Sequence, residues 1–332
     1  MTQFSSGEKM RSKLSIVIVG LLLLQACASG QKYTPMNQSN RDAIKEVQIY
    51  DLVIQDEIKP SVELSQASMA LGGGLIGAMI DSSTNKGRSL TARDVIAPLY
   101  DVTENINYRQ ISSDKIYQAF GQEFPISEKK VSVQSIILSK DDLSKKVNNL
   151  EQGEALVYLS NFYALIDNFR TLTTDTLVFI YMNSEFPITV EDKAIAKISK
   201  PKKNNKPLLI YYNSFTYQSE SVGEGAVHSI DRWSENDGQL FRNKLIESVE
   251  KTVSMLVYDL NPKKNESCLL KIKGKTPTLQ GSSSIKGNLL KEDSERKTIR
   301  MESGGLISIA SSITKKIDKT DRSCKTQGED NV

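Results

Sequence analysis

Few side chains in this sequence have the chemistry of a catalyst or a metal ligand. There is one histidine, His228, and there are three cysteines, Cys27, Cys268 and Cys324. A lone imidazole cannot build a histidine-based zinc cluster, and the two late cysteines stand too far apart for a finger. His228 lies in a Gly- and Ser-rich stretch ahead of Trp233, and no G-x-S-x-G elbow supplies a nucleophile for it. It reads as a loop histidine. The acid pairs Asp141-Asp142, Glu191-Asp192 and Glu292-Asp293 fall in polar stretches that read as loops. Paired carboxylates do acid–base work when buried together, whereas adjacent loop acids are solvated. Asp51 and Asp56 sit in the first strand region with Lys59 near, open to pairing with a basic group. The expectation is a chain without catalytic set, metal or cofactor, and not an enzyme.

The stretch LGGGLIGAMID, residues 71–81, invites a different chemistry. Glycines that cradle phosphate are followed by G-K-[ST], but here Gly77 leads into Ala78-Met79-Ile80-Asp81. Gly72, Gly74 and Gly77 match G-x-G-x-x-G spacing, yet a polar SQAS run precedes them where a strand should be. The uncharged run from Gln66 to Ile80 is shorter than the ~20 residues of a membrane span. What remains is close packing. Ala70, Gly74 and Ala78 recur every fourth residue, as do Gly73 and Gly77, giving a helix small-residue faces. Each helical glycine costs about 1 kcal/mol relative to alanine, so a compensating contact is expected. Three uses stay open: a helix lying tightly on a sheet, an interface to another subunit, or shallow insertion into a membrane. Gly72, Gly73, Gly74 and Gly77 are the close-packing or interface candidates.

The amino terminus states where the chain goes. Arg11 and Lys13 precede an apolar run from Leu14 to Leu24, the pattern of a secretory signal over residues 1–26. Leu24-Gln25-Ala26-Cys27 resembles the bacterial lipobox, in which the cysteine is cleaved and acylated. The resemblance implies lipidation at Cys27, with palmitate among the acyl chains. Ala28 does not resemble the aspartate that retains lipoproteins in the inner membrane, which implies the periplasmic face of the outer membrane. Several acyl chains at ~0.8 kcal/mol per buried methylene make a stable anchor. Cys268 and Cys324 then remain as a pair in an oxidising compartment, where a disulfide is the expectation and two free thiols the alternative. Removing residues 1–26 leaves a net charge of about +1 from the original +3, no electrostatic footprint for nucleic acid. The lysine-rich run KISKPKKNNK, 197–206, has no interleaved aromatics and reads as a solvated hairpin loop.

These residues need a frame. Polar residues 27–43 read as a tether, and residues 44–64 as one or two strands ending near Pro60. Thr91 and Asp94 suggest a helix start, with Val95, Leu99, Val102 and Ile106 on one face and Pro98 as a kink or stop. A short helix over 113–121, a strand over 131–138 and a polar, helix-compatible stretch over 141–152 follow. Residues 155–167 and 172–182 read as a hairpin, and 208–218 as a third strand with Leu209, Tyr211, Phe215 and Tyr217 on one face. Phe241, Leu245, Val249, Val253, Leu256 and Leu260 stripe a long helix over 237–260, ended by Asn261-Pro262. Short strands at 268–273, 285–291, 296–301 and 305–310 follow, the second and third joined by a charged turn. The predicted fold is α/β: an α+β sandwich over 44–262 with a mixed sheet packed by helices, a small β appendage over 263–314, and a polar tail over 315–332.

Taken together, GGGLIGAMID, the R-x-x-x-A-R-D-x-I-A-P-L-Y-D run from Arg88 to Asp101, LIYYNSFTY, Trp233 and LFRNKLIESVEKTVSMLVYDL resemble a family of bacterial envelope lipoproteins over about residues 44–310. The order of elements is more distantly similar to the α/β domain of the curli-secretion lipoprotein, the TolB amino-terminal domain and the lipoprotein activators of penicillin-binding proteins. The lack of a catalytic set, the anchor signal and the small-residue segment suited to tight contact together predict a lipid-anchored, non-catalytic binding or assembly protein that contacts the membrane through Cys27 and meets an envelope protein or a second copy of itself. The alternatives are an oligomeric outer-membrane secretion channel component and an envelope hydrolase.

Overall fold

A computed structural model describes residues 33–53, 58–60, 92–104, 106–122, 130–134, 139–183, 207–261, 270–278 and 281–316. Cys27, Cys268, Cys324 and Gly72, Gly73, Gly74 and Gly77 lie outside them. So do Thr91, Asp56, Glu191 and Asp192.

The fold is α/β, a mixed sheet packed by helices. Its elements run α1 (Gln38–Ala43), β1 (Glu46–Val53), β2 (Lys59–Pro60), α2 (residues 92–103), α3 (Tyr108–Gln122), β3 (Lys130–Gln134) and α4 (Lys140–Asn148). Then come β4 (Glu154–Ile166), β5 (Thr171–Met182), β6 (Leu208–Gln218), α5 (Ala226–Leu260), β7 (Lys271–Thr278), β8 (Gly281–Glu292), β9 (Arg296–Met301), β10 (Leu306–Ala310) and β11 (Thr314–Lys316). The sheet order is β11-β7-β8-β9-β10-β6-β5-β4-β1-β3, with β2 on the side of β4. β4 and β5 form the predicted hairpin in unbroken antiparallel register from Ala155↔Met182 to Ile166↔Thr171. β1 runs parallel to both β3 and β4.

Period-2 alternation assigns the two faces. Ile49 and Asp51 of β1, Leu159 and Asn161 of β4, Thr174 and Thr176 of β5, and Phe215 and Tyr217 of β6 look toward α3 and α5. The stripe Phe241, Leu245, Val249, Val253, Leu256 and Leu260 of α5 is buried against this face. Full burial of such side chains contributes about 1.5–3 kcal/mol each. On the other face, α4 lays Leu143 and Val147 on Tyr50, Leu156, Tyr158 and Tyr181. A row of tilted rings, Tyr158, Phe179 and Tyr212, crosses β4, β5 and β6 there.

Several expectations are corrected. The tether predicted over 27–43 ends before Thr34. Thr34 exchanges both backbone hydrogen bonds with Tyr212, at 3.0 and 3.2 Å. Asn37 caps α1 through the Asn40 amide, and Arg41 and Ile44 are buried. The β appendage predicted over 263–314 is part of the main sheet, because β10 pairs in parallel with β6, Leu306 opposite Phe215. The strands then curl back until Gln218 of β6 donates to the Pro277 carbonyl of β7 at 2.8 Å, although three strands separate them in the sheet. Ile272, Ile285, Ile299, Ile307 and Ile309 fill the inside of that curl.

The long helix begins earlier than predicted, at Ala226, and is broken inside. Glu235 is extended, and Asn236, Asp237 and Gly238 have φ of 52°, 55° and 70°. At Gly238 a side chain would strike Val102 of α2. Before the break, Trp233 is fully buried, donating its indole N–H to the Phe169 carbonyl at 2.8 Å. In α2 the buried residues are Ala92, Ile96 and Leu99; of the predicted face Leu99 is buried while Val95, Val102 and Ile106 are half-buried, and the helix runs on through exposed Pro98. The helix predicted over 113–121 extends from 108 to 122.

Candidate functional site

Three polar groupings lie on the helix-facing side of the sheet, and one opens to solvent. The first is built on Asp51. β1 presents Val47, Ile49 and Asp51 in one row, so an acid stands where the pattern calls for an apolar side chain, and it is fully buried. Its Oδ1 accepts from the Asn161 amide at 2.5 Å, and Asn161 in turn accepts from Thr176. Among the described residues its Oδ2 has no hydrogen-bond partner. Burial pushes the carboxyl up to about 6, with Ser112 and Asn161 opposing the shift. The Tyr108 hydroxyl beside it is also buried with no partner among the described residues, and burial and then Asp51 raise its pKa. A cavity of about 10 Å³, close to the space one water requires, is lined by Tyr108, Ser112, Asn161, Thr176 and Thr252. Among the described residues no ion pair to Asp51 is formed, and the side chain of Lys59 lies outside them.

The second grouping docks the carboxy-terminal strands onto α5. Arg296 of β9 is buried and donates to the carbonyls of Gln218 and Ser308 at 2.6 and 2.9 Å and to Glu220 at 2.8 Å. Its guanidinium lies 4.3 Å from the centre of the Tyr217 ring. Lys244 bridges Glu220 and Glu247 at 2.7 and 2.8 Å. Burial alone would raise the Glu220 carboxyl, but Lys244 and Arg296 hold it below its ordinary value. One turn of strand further, Arg300 meets Asp259 at 2.6 Å, and the other oxygen of Asp259 accepts from Tyr211 and Asn213. Charges cancel within each set, and every strong donor has an acceptor. This is a clamp between elements.

The third is a cleft of about 510 Å³. Ile58, Tyr163 of β4, and Phe241 and Leu245 of α5 form its apolar walls. The last turn of α2 and the residues after it complete the lining, with Tyr100, Thr103 and Ile106 inward and the carboxylates Asp101 and Glu104 at the exposed rim. The Thr103 hydroxyl and the Ile106 amide tie off this helix end through the carbonyls of Tyr100 and Thr103. Tyr163 lines the cleft and stacks at 4.6 Å on Tyr108, so the cleft floor rests on the Asp51 network. Volume and mixed lining suit a ligand or a few partner side chains.

The sequence candidates within the described residues take ordinary places. His228 stands exposed in the first turns of α5, where its Nδ1 accepts from the Glu224 amide at 3.1 Å. It is helical, a correction to the loop reading. Asp141 and Asp142 are in the first turn of α4, not in a loop. The Ser139 hydroxyl lowers the Asp142 pKa. Asp293 accepts from the amides of Arg296 and Glu295, which lower its pKa and close the β8–β9 turn. The described structure brings none of these together. Among the described residues, no group of three His, Cys, Asp or Glu is placed to hold a metal ion. Among them, no helix is long and apolar enough to cross a membrane.

Sequence reading missed the cleft, because its lining comes from four separated segments. Asp101 lay within the quoted A-R-D-x-I-A-P-L-Y-D run, but only the fold sets it beside Phe241 and Leu245. No protein-family model, no curated protein and no solved structure matches this chain.

Proposed function

We propose that this protein is a lipid-anchored binding or assembly protein of the bacterial envelope. It is held at the periplasmic face of the outer membrane by acylated Cys27 and acts through contact with another envelope protein rather than through catalysis. The observation that carries the binding half is the cleft: about 510 Å³, walled by apolar and aromatic side chains and rimmed by Asp101 and Glu104. Contact surfaces of this make-up concentrate binding in buried aromatic anchors with a polar rim. The anchoring half rests on Leu24-Gln25-Ala26-Cys27 after the apolar run, and on the resemblance to envelope lipoproteins.

Labelled palmitate and membrane fractionation test the anchor. The wild-type chain is expected to take up label and sediment with outer membranes, and Cys27→Ser to lose both. Equal label in Cys27→Ser would remove the lipoprotein reading. Affinity isolation from mild detergent tests the contact: a distinct envelope protein at constant stoichiometry is the expected result, and a chain that elutes alone under every extraction condition would refute it.

A further inference from the structure

We propose that the cleft beside the end of α2 receives a basic side chain, Lys or Arg, carried on an apolar segment of the partner protein. This rests on the binding reading above and names the partner's chemistry. The reasoning starts from charge. Asp101 and Glu104 are three residues apart at the exposed end of α2, and among the described residues neither makes an ion pair. Like charges at this spacing repel. They also stand at the carboxy-terminal end of a helix, where the backbone already places about half a negative charge. α4 shows the opposite arrangement, with Asp141 and Asp142 in its first turn and Lys145 and Lys146 in its last. The end of α2 therefore concentrates negative potential, with no ion-paired cation among the described residues to relieve it.

The walls define the rest of the occupant. None of the described lining residues is basic. Ile58, Ile106, Phe241 and Leu245 are the apolar members of the lining, and Tyr100, Tyr163 and Phe241 its aromatic ones, a side-chain class that attracts a cation. A long basic side chain matches both parts, with its methylenes along the walls and its charge at the rim. A bare metal ion matches less well, because two carboxylates are too few ligands for one and no third acid or imidazole joins them among the described residues.

Photocrosslinking in the intact envelope tests this with the full-length chain. Benzoylphenylalanine is placed at Ala97, exposed one helical turn before Asp101 at the edge of the cleft, and, as controls, at Tyr117 and Val227, both exposed elsewhere on the fold. Crosslinked peptides are mapped by mass spectrometry in the wild type and in Asp101→Asn/Glu104→Gln. Ala97 is expected to capture a segment of another envelope protein with Lys or Arg within two residues of the attachment point. The double variant should reduce that yield by about tenfold, as for loss of a close charge pair, and leave control crosslinks unchanged. Both substitutions are near-isosteric and exposed, and a melting temperature equal to wild type confirms the fold. Changing the captured basic residue to Glu, with Asp101→Lys/Glu104→Lys in this chain, should restore capture. A captured segment without a basic residue, an undiminished yield, capture only of a second copy, or failed restoration overturns the proposal. Partner crosslinks from Tyr117 or Val227 alone overturn the cleft and leave the binding reading standing. No partner crosslink from any of the three sites overturns both.

Discussion

Asp51 occupies a position where a carboxylate is hard to keep ionised. It is fully buried, one oxygen lacks a partner, and its pKa lies near 6. A raised carboxyl pKa means that the unfolded chain gives up this proton more easily. The folded state is therefore favoured below the unfolded value of about 4, and that advantage is lost as pH rises through about 6. Asp51→Asn keeps the acceptor for Asn161 and removes the charge. It should stabilise the protein by about 1–2 kcal/mol at pH 7.5, with little change at pH 4.5. Urea unfolding at the two pH values checks this, and a loss of stability at pH 7.5 would count against it. Arg296 is the opposite case, a buried charge with all its donors occupied. Arg296→Met should cost about 2–4 kcal/mol by stranding the Gln218 and Ser308 carbonyls and Glu220. Chemical denaturation measures it, and a neutral effect would show that the clamp is dispensable. Of the two positions, only Asp51 was legible. Asp51 is in phase with Val47, Ile49 and Val53, and an acid on an apolar row is a signal in its own right. Arg296 and Arg300 had none, since in sequence they lie in a short polar strand after a charged turn, and only the curl of the sheet buries Arg296.

Among the elements, those fixed by local pattern were readable. The β4–β5 hairpin and β6 follow from β-branched and aromatic runs, and the second half of α5 from its apolar stripe. What depends on distant pairing was not. The break at Asn236–Gly238 answers to α2 packing beside Gly238, and the joining of β10 to β6 links strands about ninety residues apart in sequence. The carboxy-terminal strands read as an appendage because nothing local reveals that pairing. Their register has a sharp test at Gly287, where an added Cβ would collide with the Arg300 carbonyl oxygen. Gly287→Ala cannot keep the β8–β9 pairing as it stands, and a cost of at least about 3 kcal/mol is expected. Hydrogen exchange should show protection lost first in β7, β8 and β9 while β4 and β5 stay protected. Unchanged protection would contradict this register.

For the whole molecule, the proposed function rests on the cleft, which joins side chains of β4, α2 and α5 in one lining. Closing it tests that proposal most directly. Thr103→Trp fills the cleft from a half-exposed position, without touching the Asp51 network or the Arg296 clamp. Isolated from its own envelope in mild detergent, the Thr103→Trp protein should keep its melting temperature and its membrane fraction but lose the co-purifying envelope protein held by the wild type. If that protein is retained at wild-type stoichiometry, the cleft is not where this chain makes its contact.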